Sequence, residues 1–353
     1  MTSIYEYTKE ELASHLEGQP RYRVDQLWQG LWVDGLEIEG ITTIPAALRA
    51  ALREKFPTAL HVAHDVESDR GATRKWVFRL ENASTIETVL MRYDDRVTVC
   101  VSSQAGCAMG CTFCATGQAG FSGQLSVGQV IEQVMYAARA AAPLRLSNVV
   151  FMGMGEPLAN YRVTVDVLRR LHEYRGLSAR HLTVSTVGVA PAIERLAHEG
   201  LPLTLAVSLH AANDETRNEL VPLNRRYPLE RLHQACQTWL DATGRRLSFE
   251  WALIDGVNDT DRAIAELAEY ANSLHAHVNL IPLNPTPGFL VRGSSAQRVG
   301  EFRDGLLSRG VNATVRNTRG RSIAAACGQL ATVTNAKRRS IPVRSEHQPV
   351  ASR

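Results

Sequence analysis

Short apolar segments alternate with amphipathic segments over most of this chain of 353 residues, and this alternation constrains the fold more than any other feature. Segments of strand type lie at 97–102, 147–152, 181–185, 203–208, 247–253, 278–282 and 313–315. Segments with helical periodicity lie between them, at 127–142, 162–174, 190–199, 229–243, 260–274 and 295–308. Six or seven strand–helix units over roughly 230 residues predict an α/β fold whose parallel sheet curls into a full or partial (β/α) barrel.

The first 95 residues differ from this pattern. Residues 1–60 are predicted to be helical, with Leu27, Trp28, Leu31 and Trp32 at helical spacing and a second helix that has Pro45 in its first turn. The simplest interpretation is a small helical domain with a Trp/Leu core. Residues 61–95 are rich in β-branched and aromatic residues and predict a β-rich connector that leads into the main sheet, with the barrel core at 96–332.

Charge is concentrated at the end of the chain. Residues 333–353 carry five Lys or Arg against one Glu, a net charge of +4, so the other 332 residues sum to −1. This tail lacks apolar periodicity and is expected to be disordered. A polyanionic partner would therefore meet local basic patches and the tail, because the body of the protein has no global positive field.

Composition excludes several classes of protein. An apolar fraction of 44% and a charged fraction of 21% are typical of a globular chain, not of a fibrous or disordered one. No apolar run reaches the roughly 18–20 residues of a membrane helix, and the first ten residues lack the regions of a secretory signal. We therefore expect a cytoplasmic protein that does not bind membranes, in which six cysteines serve metal or redox chemistry.

The strongest chemical signal is a triplet of cysteines with C-x3-C-x2-C spacing, formed by Cys107, Cys111 and Cys114. Three thiolates within eight residues can hold one small inorganic centre. A structural zinc site needs four ligands, and no fourth Cys or His lies nearby downstream. The pattern favours an iron–sulfur cluster in which one iron keeps an open coordination position.

The other polar candidates follow successive strands. Gly153, Gly155 and Glu156 follow the second barrel strand, and Ser185 ends the third. The other candidates lie further along the chain, at the end of the fourth strand, after the sixth strand and past the last strand: Ser208, Leu209 and His210, then Asn284, then Cys327. The carboxyl ends of the strands form the active face of a barrel, so these groups are expected on one rim. Taken alone, the glycines also fit a tight turn, and His210 also fits a core histidine.

The three other cysteines and one glutamate are ambiguous from their pattern. Cys236 is in line with leucines on a helix face and is expected to be a buried structural thiol. Cys100 lies on an apolar strand and by itself fits a core residue. Cys327 lies in a segment of small residues that could form a mobile loop, and Glu87 by itself fits a strand residue that faces solvent.

Several separated blocks resemble a known family. The triplet resembles that of the radical S-adenosylmethionine (SAM) superfamily, and the blocks at 100–107, 152–160, 208–211 and 325–330 resemble the RlmN/Cfr family of RNA adenine methyltransferases. The resemblance runs from about Leu27 to Ala331, and the tail has no counterpart. It implies a partial (β/α)6 radical SAM barrel with a small helical N-terminal accessory domain and a short β extension. The alternative of a non-catalytic redox or zinc module is disfavoured by the clustering at the rim.

The resemblance also implies the cofactors and the ligands that hold them. One 4Fe–4S cluster would be held by Cys107, Cys111 and Cys114, with SAM on the open iron. The implied SAM pocket consists of Gly155, Glu156, Ser185, Ser208, Leu209, His210 and Asn284. The implied reaction methylates an electron-poor adenine carbon, C2, in adenine 2503 of 23S rRNA and adenine 37 of tRNA, and uses two SAM per turnover. A sister activity that methylates C8 shares the quoted motifs and remains the alternative.

Three residues take part in the implied covalent chemistry. Cys327 carries the methyl group as S-methylcysteine, and its methylene radical adds to C2. Glu87 is the implied proton acceptor, and Cys100 is the resolving thiol that forms a transient disulfide with Cys327. The implied partners are 23S rRNA, tRNA and a one-electron donor such as flavodoxin or ferredoxin. We expect a monomer in which residues 1–60 bind RNA, with Arg21, Arg23 and Lys55 as basic candidates.

Overall fold

The structure is a computed structural model, and it describes residues 2–284, 286, 292–316, 320–326 and 328–330. Cys327 and the basic tail at 333–353 lie outside the described residues, so the expectations about them stay predictions. Among the described residues, no helix is both long enough and apolar enough to cross a membrane.

The chain begins with three helices, α1 (Lys9–Ser14), α2 (Tyr22–Trp28) and α3 (Ala46–Lys55), which confirms the prediction of a helical start. Pro45 is the N-cap of α3 and lies just before its first turn. Trp28 and Trp32 pack edge-on against Tyr174, with ring centroids 4.8 and 5.2 Å apart, and Tyr174 caps a barrel helix described below. The apolar core of this helical region is therefore continuous with that of the barrel.

An antiparallel meander follows the helices. Strands β1 (His61–Ser68), β2 (Thr73–Arg79), β3 (Thr85–Arg92) and β4 (Val97–Cys100) pair in chain order. The first three lie in the segment predicted to be β-rich, and β4 corresponds to the first predicted barrel strand. β1 is the edge strand of the main sheet and is exposed along nearly its whole length, whereas β2 and β3 are mostly buried. β4 belongs to both parts of the sheet, because its other neighbour runs parallel to it.

A small hairpin interrupts the chain after β4. Its strands, β5 (Gln104–Gly106) and β6 (Phe121–Gln124), pair with each other outside the main sheet. The three cysteines and the short helix α4 (Ala115–Ala119) lie between these two strands. No pattern in the sequence indicates this hairpin, since each strand is only three or four residues long and lacks a clear apolar alternation.

The barrel continues with alternating helices and strands. Along the chain these are α5 (Val127–Ala141), β7 (Asn148–Phe151), α6 (Tyr161–Glu173), β8 (Leu182–Thr186), α7 (Ala190–Ala197), β9 (Thr204–Ser208), α8 (Asp214–Leu220), α9 (Leu229–Thr243), β10 (Leu247–Leu253), α10 (Asp261–Ser273), β11 (His277–Pro282), α11 (Ala296–Leu307) and β12 (Ala313–Val315). In the described chain, β4 and β7 to β12 form seven parallel strands in chain order, joined by six connections that contain helices.

This topology confirms the partial (β/α) barrel. Among the described residues, β1 and β12 are the two ends of the ten-stranded sheet and do not pair with each other, so the barrel is open. Parallel strands linked by helices bury both faces, which is why the barrel strands are continuous apolar runs with few charges. The carboxyl ends of the seven parallel strands face one rim, where a pocket opens.

Candidate active site

The pocket at this rim brings together most of the residues that the sequence analysis proposed. Its walls include the three cysteines of the triplet together with Gly155, Glu156, Ser185, Ser208, His210 and Asn284. These residues come from five separate parts of the chain, and each lies in or just after a parallel strand or in the cysteine hairpin. Leu209 differs, because its side chain is fully buried and is not among the pocket walls.

The cysteine loop is held in shape by its own backbone. The amide of Cys107 donates to the Gly120 carbonyl at 2.8 Å, and the amide of Cys114 donates to the Cys111 carbonyl at 3.2 Å. Gly110 adopts a positive φ of 68° between the first two cysteines, which lets the loop turn back. The loop therefore presents three thiols to one pocket and not to the surface at large.

The thiols fit an iron–sulfur cluster better than a single metal ion. Burial raises the pKa of the Cys107 thiol to about 11, and burial together with the neighbouring Cys114 and Cys107 raises the pKa of Cys111 further. Buried thiolates need a positive centre to offset their charge. Within the described residues no three metal-binding side chains converge as ligands of one ion. In a four-iron cluster each thiolate binds a different iron, so the sulfurs need not approach a common point.

The turn after β7 carries the most constrained carboxylate of the site. Glu156 is buried, and its two carboxylate oxygens accept hydrogen bonds from the amides of Leu158 and Val187, both at 2.9 Å. Burial raises the pKa of Glu156 to about 7, although these amides act in the opposite direction. A carboxylate has more lone pairs than these two bonds use, so it can still accept from a ligand ammonium group.

The turn after β7 requires glycine at position 155. Its φ is +99°, and a Cβ atom at this position would lie 2.5 Å from Cβ of Gln104 in β5. Gln104 also accepts a hydrogen bond from the Glu156 amide through Oε1 at 2.8 Å. The turn and the cysteine hairpin are thus locked together. Gln104 lies in the block at 100–107 that carries the family resemblance, but nothing in that block indicates that it contacts the turn after β7.

His210 lies in the pocket as a neutral side chain. Burial and the nearby Arg217 lower the pKa of its imidazole to about 3. Its Nδ1 accepts a hydrogen bond from the Ala252 amide at 3.0 Å, and its ring packs edge-on against Phe113 of the cysteine loop. His210 is therefore both a packed histidine and a pocket wall, so the two interpretations of the sequence are compatible.

A charged group in the pocket was also missed. Glu250 in β10 accepts a hydrogen bond from Asn279 Nδ2 at 2.8 Å and forms an ion pair with Arg316 at 3.2 Å. Both members of the ion pair line the pocket. Glu250 lies within an apolar strand, and a charge inside a buried parallel strand is rare. This unusual position is the feature of the sequence that could have indicated a functional residue.

Cys100 and Glu87 lie on a second face next to the pocket. Cys100 is buried with Val89, Met154 and Leu330, and Leu330 is also a pocket wall. Glu87 is almost fully buried, so the interpretation of a solvent-facing strand residue is wrong. The reason is that β3 lies between β2 and β4, and the segment at 320–326 covers this part of the sheet.

The described residues around Cys327 approach the cysteine loop. Gly328 lines the pocket, and its carbonyl accepts a hydrogen bond from the Ala115 amide at 2.9 Å. The hydroxyl of Thr116 donates to the carbonyl of Leu330. Cys236, by contrast, is fully buried in α9, which confirms the prediction of a structural thiol.

Comparison with known proteins identifies the family of this chain. The model of the Radical SAM superfamily matches residues 101–268. A protein of Parafrankia sp., named as a probable dual-specificity RNA methyltransferase RlmN, is 52% identical over 89% of this chain and 87% of its own length. A protein of Chloroflexus aurantiacus with the same name is 45% identical over 99% of this chain and 96% of its own length.

A solved structure agrees with these relatives. The crystal structure of a radical SAM methyltransferase from Sphaerobacter thermophilus superposes with a TM-score of 0.90, at 47% identity, over 93% of this chain and 99% of that one. The cofactors of this enzyme are accordingly a 4Fe–4S cluster and SAM. Sequence, fold and pocket chemistry agree, and the chain belongs to the RlmN family of radical SAM RNA methyltransferases.

Proposed function

We propose that this enzyme methylates C2 of one adenine in 23S rRNA and of one adenine in tRNA, through a methylated Cys327 and with two SAM consumed per turnover. The observation that carries the proposal is the juxtaposition of two sites. The pocket of the cysteine triplet adjoins a buried sheet face that holds Cys100 and Glu87, and Leu330 belongs to both. A methyltransferase that used SAM directly would need no second thiol beside its pocket.

The binding roles follow from the pocket walls. Cys107, Cys111 and Cys114 would hold the cluster, which when bound supplies the one-electron chemistry that makes a carbon radical from SAM. Glu156 would accept hydrogen bonds from the SAM ammonium group. Backbone groups at Gly155 and the remaining pocket walls would bind the rest of the molecule: Ser185, Ser208, His210 and Asn284. Leu209 would contribute through its backbone, since its side chain faces the core.

The residues of the second face would complete the reaction. After the methylene group of Cys327 is joined to C2, the Glu87 carboxylate takes the proton from C2. The Cys100 thiolate then attacks the Cys327 sulfur. A disulfide forms as the carbon–sulfur bond breaks, and the released electron pair goes to the methylene carbon, which takes up a proton and becomes the methyl group. The unpaired electron that the radical addition left on the purine would return to the bound cluster, so that a closed-shell methyladenine is released. Cys100 is buried beside Met154 and Leu330, which protects its thiol from solvent before this step.

The C2 reaction is preferred to the C8 reaction because the relatives with high identity carry the RlmN name. The partners in the proposal are 23S rRNA, tRNA and a one-electron donor such as flavodoxin or ferredoxin, and the enzyme acts as a cytoplasmic monomer. Residues 1–60 would serve as an accessory RNA-binding domain. The tail at 333–353, with its charge of +4, would add salt-dependent affinity for phosphates.

The test is mass spectrometry of nucleosides from 23S rRNA and tRNA of a strain that lacks the gene. We expect 2-methyladenosine to disappear from both RNAs and to return when the wild-type gene is restored. A gene with Cys327→Ala should fail to restore it. Loss of 8-methyladenosine instead would establish the sister activity, and unchanged nucleosides would contradict the proposal.

A further inference from the structure

Lys75 of β2 forms a buried ion pair with Glu87. Its Nζ lies 3.0 Å from Oε2 of Glu87, and the two side chains are only 10% and 1% exposed. A buried ion pair adds little to stability compared with well-packed apolar side chains, because both charges must be desolvated. The pair is therefore poorly explained as a device for folding, and its neighbours indicate what else it does.

The strand register puts Lys75 on the face that carries the proposed chemistry. Lys75 pairs directly with Val89 of β3, and Val89 pairs on its other side with Cys100 of β4. Glu87 lies two residues before Val89 and so points to the same face of the sheet. One row across three strands thus holds Lys75 on one side of Val89 and Cys100 on the other. Glu87 lies on the same face of β3, two residues away, and contacts Lys75.

Lys75 also holds the segment that leads to Cys327 in the sequence. Its Nζ donates a hydrogen bond to the carbonyl of Ala324 at 3.1 Å, and Ala324 has a positive φ of 50°, which is unusual for a residue other than glycine. The start of the same segment is held by Asp69, whose Oδ2 accepts from the Gly320 amide at 3.0 Å. The β extension therefore fastens this segment at two points, one of which is shared with Glu87.

We infer that Lys75 is a positioning residue for the proton transfer from adenine C2: its ammonium group keeps the buried Glu87 in the ionised form that can accept the proton. This inference rests on the proposed function. A carboxylate buried without a counter-charge takes up a proton and cannot act as a base at neutral pH. In the step itself the C2–H bond breaks, the proton moves to Glu87, and the electron pair of that bond stays with the purine.

Other groups on this face could affect the same ionisation. Cys100 shares the face from β4, and His64 shares it from β1, because His64 pairs with Val77 and Val77 pairs with Glu87. His64 is exposed and two strands away from Glu87, so solvent screens its influence. Lys75 is the member of this set that forms an ion pair with the carboxylate.

The experiment follows a single turnover of the reconstituted enzyme with a tRNA transcript, from pH 6 to pH 9. It measures 5′-deoxyadenosine, the covalent protein–RNA adduct and methylated RNA. For Lys75→Met we expect normal 5′-deoxyadenosine, accumulation of adduct, and product formation slowed by at least about tenfold at pH 7 with recovery toward pH 9. Lys75→Gln keeps an N–H donor for Ala324 without the charge and should behave as Lys75→Met does.

Matched variants separate the effect of the Lys75 charge from the effect of its structural contacts. Lys75→Arg should keep product formation near the wild-type level, because a guanidinium group can also pair with Glu87. Arg79→Met removes an exposed positive charge from the same strand and should leave the pH dependence unchanged. Glu87→Gln should accumulate adduct at every pH, and adding Lys75→Met to it should have no further effect, since the lysine acts through the carboxylate.

The outcomes distinguish the inference from the function on which it rests. If Glu87→Gln accumulates adduct but Lys75→Met and Lys75→Gln form product at the wild-type rate at pH 7, the role of Lys75 is overturned and that of Glu87 stands. If Lys75→Met and Glu87→Gln have additive effects, Lys75 acts elsewhere. If Glu87→Gln turns over normally, Glu87 is not the proton acceptor and the inference falls with that assignment. If wild-type enzyme yields no methylated RNA, the proposed function itself has failed.

Discussion

Cys100 pairs with Val89 across strands β4 and β3, and this register places the Cys100 thiol on the sheet face that also carries the Glu87 carboxylate. A buried thiol in an apolar strand usually has no function beyond packing. Here the apolar cluster around it includes Leu330, which is a wall of the pocket of the cysteine triplet. The register thus places the thiol of a core strand beside the pocket, as the proposed resolving role of Cys100 requires.

This relationship predicts that Cys100→Ala traps the enzyme on its substrate. Cys107, Cys111, Cys114 and Cys327 are intact in this variant, so bond formation to the RNA should proceed, while the thiol that breaks the carbon–sulfur bond is missing. The variant should purify with RNA attached, and denaturing electrophoresis before and after nuclease treatment measures it. Cys327→Ala should carry no RNA. Normal turnover by Cys100→Ala without attached RNA would make Cys100 a core residue only.

The cysteine loop predicts loss of the cluster when any one of its thiols is removed. Cys111→Ala should lower iron content and absorbance near 400 nm to background, and it should abolish 5′-deoxyadenosine formation, because the described pocket offers no replacement thiol. Cys107→Ala and Cys114→Ala should do the same.

The matched control for these variants is Cys236→Ala. It removes a buried thiol far along the chain in α9 and should keep full iron content, at a cost of about 1 kcal/mol in the free energy of unfolding. Full iron and normal SAM cleavage in any of the three loop variants would refute the ligand assignment.

Gly155→Ala should weaken SAM binding by about tenfold or more, since a methyl group at this position meets Gln104 and the residue must keep a φ of +99°. The same strain should cost about 1–3 kcal/mol in the free energy of unfolding. Equilibrium binding of SAM and denaturant titration measure both effects. Gly123→Ala, where the added methyl group would contact nothing within 4 Å, is the control and should change neither. Equal behaviour of the two variants would contradict this account of the turn.

The ionisation of Glu156 predicts how SAM binding depends on pH. Burial raises the pKa of Glu156 from 4.5 to about 7, so the folded protein holds this proton to a higher pH than the unfolded chain does. The contribution of Glu156 to stability is therefore largest below pH 4.5 and is lost as the pH rises to about 7. The ionised form that pairs with an ammonium group grows over the same range, so SAM affinity should rise.

Glu156→Gln tests this prediction by equilibrium dialysis with labelled SAM. The variant should bind more weakly at pH 8 and should lose the rise in affinity around pH 7. His210 cannot produce that rise, because its pKa is lowered to about 3 and it stays neutral throughout. A wild-type affinity that is flat from pH 6 to pH 8 would show that Glu156 is already ionised at the lower end.

Much of the architecture could be read from local patterns. Seven apolar segments separated by amphipathic ones predicted the parallel strands, because buried parallel strands and their covering helices each impose a periodicity on the chain. The spacing of Cys107, Cys111 and Cys114 predicted an inorganic centre, and the position of Glu156 and Ser208 at strand ends predicted a common rim. These features are local in sequence, or they follow from the direction of the strands.

Tertiary structure decided the features that depend on contacts between distant parts of the chain. Glu87 fitted an exposed strand residue by its pattern, yet the packing of β3 between two strands and beneath residues 320–326 buries it beside Lys75. Glu250 and Lys75 lie in no motif, and the block that contains Gln104 does not indicate its partner, so only the neighbours of these three residues reveal their roles. Periodicity along the chain reports which face of its own element a residue occupies, whereas burial, charge pairing and protonation depend on what the fold brings against that face.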